Sequence, residues 1–207
     1  MLRLPWSVCA VAHGDWLIFL DLARNRYQAT ALDQAPVLVS SGLNQIDLTR
    51  ESRQPSLLCE GLVSVVTREH QPAPHRRIDE VSWRDLFLTI AASMWASRIV
   101  RRGALLEAFY RLSKRKARLG KSVPDLETAA LNHSRFAAAR IWFPAAYVCL
   151  FDSLALMRFL LAREVRADLV FGVRSRPFAA HCWVEVDGII LDDGGEACHS
   201  FAEIARV

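Results

Sequence analysis

The sequence predicts an α+β protein built in two parts, and three patterns carry that expectation. The first 30 residues alternate apolar and polar positions between turn signals, residues 82 to 119 repeat apolar side chains at helical spacing, and the last third runs from a helix into strands. With 207 residues, 52% of them hydrophobic and 23% charged, the chain is long enough to bury a sizeable core.

SVCAVAH, WLIFLDL and RYQAT, separated by Gly14-Asp15 and Arg24-Asn25, read as a three-stranded meander. LDQAPVLVSSG, LNQIDLTRES and PSLLCEGLVSVVTREH follow as short segments with helical spacing, Leu57, Leu58, Leu62 and Val65 among them. Three strands and three short helices fit a small winged-helix-like module over residues 1–70. Gln71 to Arg77 (QPAPHRR), with two prolines and clustered charges, continues neither element type, so a linker is placed at 71–79 and a second domain at 80–207. Its helices carry Leu86, Ile90 and Met94, then Leu105, Phe109 and Leu112, with a break at Gly103 and a close at Gly120. A further helix from about Cys149 to Arg163 shows Leu150, Leu154, Met157 and Leu161 on one face, and ADLVFGV, AHCWVEV and IILDD follow as strands.

Charge and cysteine usage narrow the function classes. The net charge of +4 is local, because residues 101 to 121 hold eight basic side chains against Glu107 alone. That run reads as a solvated helix face, or as a surface for an acidic partner. The helix carrying Leu57, Leu58, Leu62 and Val65 offers almost no readers of base edges, so no nucleic-acid partner is expected. Five cysteines without a CxxC pair write neither a disulfide framework nor a zinc set, which fits a reducing cytoplasm. No uncharged stretch approaches the roughly 20 residues of a spanning helix, and Asp15 and Asp21 interrupt the apolar start, so neither a membrane segment nor a signal peptide is expected.

Cys149 falls at or near the first turn of its helix, where unpaired N–H groups and the positive end of the dipole favour thiolate and can hold an oxyanion. The plain alternative is a small buried hydrophobe. Alternation puts His181, Trp183 and Glu185 on one face of a strand and Cys182, Val184 and Val186 on the other, which keeps Cys182 from joining His181, Asp193, Cys198 and His199 in a metal set. A two-residue Asp187-Gly188 turn sets Asp192 opposite Trp183, whereas a three-residue loop sets Asp193 opposite His181. The second register completes a Cys149, His181 and Asp193 triad of nucleophile, base and orienter, with Asp192 as the alternative orienter.

Cys149-Leu150, the stretch GVRSRPFAAHCWVEVDG and the aspartate twelve residues after His181 resemble the leader peptidases of lasso-peptide biosynthesis, the B maturation proteins of the transglutaminase-like superfamily. Two positions depart from the family's usual pattern: Cys182, often Ala, and Asp192, often Asn. The resemblance implies a papain/transglutaminase-like cysteine peptidase domain that uses no cofactor or metal. In it Cys149 attacks the last leader carbonyl, His181 handles the proton, Asp193 orients His181, and water clears the acyl-enzyme. It also implies two partners, a ribosomally made precursor peptide and an ATP-using, asparagine-synthetase-like cyclase. The strand-first start resembles the precursor-recognition domain fused to such peptidases. The leader is then expected to add as a strand beside Arg26, Tyr27, Gln28, Ala29 and Thr30, against Leu58, Leu62 and Val65. The alternatives are an edge strand guarded by charge, an amidase or acyltransferase with the same triad, and a peptide-delivery module without catalysis.

Overall fold

The computed structural model describes residues 7–33, 71–72, 81–120, 125–145, 148–191 and 198–207. The expected meander is β1 (Val8–His13), β2 (Trp16–Asp21) and β3 (Arg26–Ala31), antiparallel in that order, with β3 at one edge. β4 (Gln71–Pro72) comes from the stretch assigned to a linker and pairs in parallel with β7. Four helices follow: α1 (Trp83–Arg102), α2 (Leu105–Arg118), α3 (Leu126–Arg140) and α4 (Cys149–Ala162). β5 (Asp168–Ser175), β6 (Phe178–Val186), β7 (Ile189–Ile190) and β8 (Ala202–Arg206) complete a second sheet in the order β4-β7-β6-β5-β8.

Local chemistry sets the helix ends. Ser82 caps α1 by accepting the Asp85 N–H at 3.2 Å, and Gly103 ends it with φ 61°, a left-handed conformation that costs glycine nothing. The α4 helix is buried almost all round, with Phe151, Leu154, Leu156, Met157, Phe159, Leu160 and Leu161 inside, more than the single apolar face its spacing predicts. It packs between α1 and β6.

Cys9, Val11, Ile18, Leu20 and Leu22 of the N-terminal strands lie in the same buried cluster as Phe109, Leu154 and Phe171. The meander therefore meets the second sheet and the helices apolar face to apolar face, and His13 Nδ1 adds a 2.8 Å hydrogen bond with Ser175 Oγ. The helices expected around Leu58, Leu62 and Val65, and with them the winged-helix character, lie outside the described residues. Among the described residues no helix is long and apolar enough to cross a membrane.

Candidate active site

Cys149 is the first residue of α4 and is exposed, while the other three cysteines described, Cys9, Cys182 and Cys198, are buried. Asp152 fixes that helix start: one carboxylate oxygen accepts the Val148 N–H at 3.1 Å and the other accepts Arg140 Nε at 2.7 Å. Arg140, only 3% exposed, also donates to the carbonyls of Phe143 and Ala145, so the chain entering Cys149 is clamped to α3. The sequence holds a faint trace of this clamp, an acid in the first turn of a helix without a side-chain cap.

His181 sits on β6. Its ring stacks on Trp183 at 5.9 Å and lies against Phe201 at 5.6 Å. Gly172 is its partner across the β5–β6 ladder, and a Cβ there would stand 2.7 Å from the Trp183 ring and 2.8 Å from Phe201 Cβ. Only a glycine lets those two rings close behind the histidine. Gly172→Ala is expected to cost about 1–3 kcal/mol by overpacking and to lower activity beyond that loss by shifting His181. Chemical denaturation together with kcat on the folded fraction checks both.

Cys149 and His181 come together. The thiol of Cys149 is lowered from an ordinary 9.0 to about 4. Hydrogen bonds from the side chains of Cys182 and then His181 are the leading causes; the charge of His181 and the Cys182 N–H assist, and partial desolvation opposes them. The body of β6 alternates as the sequence predicts, with Trp183 in a small cluster on one face and Cys182 and Val184 in the main core on the other. Cys149 nevertheless meets both His181 and Cys182. Alternation rightly keeps Cys182 on the opposite face, but it hides that this thiol is hydrogen-bonded to Cys149. A lowered folded-state pKa means thiolate persists above it, so alkylation by iodoacetamide is expected to run at an even rate from neutral pH downward and to fall through a midpoint of about 4. A midpoint near 9 contradicts this environment.

The hairpin after β6 corrects one expectation. Val186 pairs with Ile189 and Glu185 with Ile190, and the Leu191 N–H reaches the Val184 carbonyl at 2.9 Å, which is the register of a two-residue turn. Asp187 and Gly188 have φ 52° and 81°, both left-handed, as a type I′ Asp-Gly turn demands. The three-residue loop that set Asp193 opposite His181 is therefore not formed. Asp192 and Asp193 themselves lie outside the described residues, and the register on which Asp193 was preferred to Asp192 is lost.

Of the positions expected to bind a leader, Arg26, Gln28 and Ala29 are exposed and Thr30 is buried, and β3 has β2 as its sole strand partner among the described residues. Tyr27, at the start of β3, meets Phe178 edge-on at 5.9 Å. Burial, with the thiols of Cys182, Cys149 and Cys9 nearby, holds its phenol above the ordinary range, so it stays protonated. The start of β3 thus lies within electrostatic reach of Cys149, which strand patterning does not reveal.

An exposed low-pKa thiol at a helix start, hydrogen-bonded to a histidine on the adjoining sheet, is the arrangement of cysteine-dependent acyl-transfer proteins with an α+β fold. Residues 93–206, more than half of the sequence, match the transglutaminase-like superfamily, and the chain belongs to it. Among curated proteins it is similar to the microcin J25-processing protein McjB of Escherichia coli, 42% identical over 59 residues. That stretch covers 28% of each protein. Both findings agree with the likeness read from the sequence, while no solved structure matches the chain.

Proposed function

We propose that the chain is a cysteine endopeptidase that removes the leader from a ribosomally made precursor during lasso-peptide maturation. One observation carries the reading: the exposed Cys149, first in its helix, is held as thiolate by hydrogen bonds that include one with His181. A thiolate attacks the carbonyl at the leader's end without first losing a proton. His181 protonates the departing amine of the core peptide, and the first-turn N–H groups of α4 face the developing oxyanion. Water then resolves the thioester, with His181 as base. Asp193 is the proposed orienter of His181 on the strength of its twelve-residue spacing in the resemblance.

The leader adds along β3, whose exposed Arg26, Gln28 and Ala29 offer an open strand edge and whose Tyr27 lies within electrostatic reach of Cys149. Leu58, Leu62 and Val65 are the proposed apolar wall of that groove. The freed core peptide then passes to an asparagine-synthetase-like, ATP-using cyclase, and the setting is cytoplasmic. Because the meander shares its core with the helices, substitutions on β3 test recognition better than deletion does.

The test is to incubate the chain with the precursor peptide, with and without the cyclase, and read product masses. Release of intact leader and intact core by one cut is expected. An amide product formed with an added amine in place of hydrolysis points to an acyltransferase. An uncut precursor that remains bound even with the cyclase present points to a delivery module.

A further inference from the structure

The nucleophile has a second thiol beside it. The side chain and backbone N–H of Cys182 both donate to the sulfur of Cys149. Cys182 is 2% exposed, on the face of β6 that packs against α4, and Ser153, four residues along the helix from Cys149, ties down its carbonyl at 3.0 Å. The proposed hydrolysis gives the Cys182 thiol no proton or bond to carry, and an alanine there would supply the same backbone N–H. Cys198 belongs to the cluster on the far face of the sheet, so among the described cysteines it is Cys182 that is hydrogen-bonded to the nucleophile.

We propose that Cys149 and Cys182 are a reversible redox pair, in which a hydroperoxide oxidises Cys149 and Cys182 resolves it as an intramolecular disulfide. The inference rests on the reading of Cys149 as the accessible reactive thiol, and not on the identity of the peptide substrate. The Cys149 thiolate attacks the outer oxygen of the hydroperoxide, the O–O bond breaks, and the alkoxide leaves as alcohol after taking a proton. The sulfur of Cys182 then attacks the sulfur of the sulfenic acid, the S–O bond breaks, and the hydroxyl leaves as water with the Cys182 proton. The two thiols lose two electrons and two protons in all, and a dithiol restores them. Cys149 sits exposed at the start of its helix and is already hydrogen-bonded to the Cys182 side chain. The disulfide removes the nucleophile from catalysis and keeps it from irreversible oxidation to sulfinic and sulfonic acids.

The experiment treats the full chain and its Cys182→Ala and Cys182→Ser variants with excess hydrogen peroxide at neutral pH. Peptide mapping without reductant, and recovery of alkylatable Cys149 after dithiothreitol, are the readouts. A Cys149–Cys182 linked peptide and near-complete recovery are expected for the parent chain, with recovery lower by about tenfold in both variants. Absence of that linked peptide from oxidised parent chain, linkage of Cys149 to Cys9 or Cys59 instead, or equal recovery in folded variants overturns the proposal. The mapping uses no peptide substrate, so a chain that links but cuts nothing keeps the redox pair and refutes the peptidase.

Discussion

Replacing Cys149 with alanine is expected to lower kcat for leader release on the order of 10⁶-fold, the scale on which nucleophile removal acts in hydrolases that form an acyl-enzyme. The side chain is exposed, and the hydrogen bonds it accepts from Cys182 and His181 bear on its ionisation, so the variant should fold as the parent does. Leader affinity should stay within about twofold, because the strand-addition surface on β3 is untouched. A variant that cuts at the parent rate refutes the peptidase and leaves peptide delivery as the function.

Removing the base is the second large effect. His181→Ala is expected to cost nearly as much as removing the nucleophile, because members of a nucleophile–base pair act as a unit and their losses do not add. The Cys149 thiol should rise in this variant but stay below an ordinary cysteine, since the hydrogen bond from Cys182 remains. Alkylation against pH reads that shift separately from catalysis. For the orienter, Asp193→Asn is expected to lower kcat by about 10⁴-fold by releasing the wrong tautomer of His181, with Asp192→Asn near parent activity. The reverse ranking moves the role to Asp192.

What the sequence made legible follows from how local each signal is. Strict alternation between turn residues marks β1 to β3, and Gly103 and Gly120 mark where α1 and α2 end, because these effects need only neighbours along the chain. The Cys149 helix start and the His181 strand are local in the same sense. The α3 helix left no apolar stripe, because it buries Asn132, His133, Ser134 and Arg140 beside alanines. Phe201 and β8 were missed, since five residues become a strand only by pairing with β5. The proximity of Cys182 and Tyr27 to Cys149 depends on how α4 and β3 are packed, which spacing does not encode. The hairpin register followed the preference of Asp-Gly for a two-residue turn over the looser loop that would have aligned Asp193.

The leader is expected to pass through a thioester on Cys149. Enzyme in excess over precursor, quenched in acid during the first turnover and mapped by mass, tests it most directly. The expected adduct is the leader's C-terminal residue joined to the peptide that contains Cys149, formed before free leader and absent in Cys149→Ala. Free leader that appears with no adduct in the parent chain, or at equal rate from the alanine variant, contradicts it.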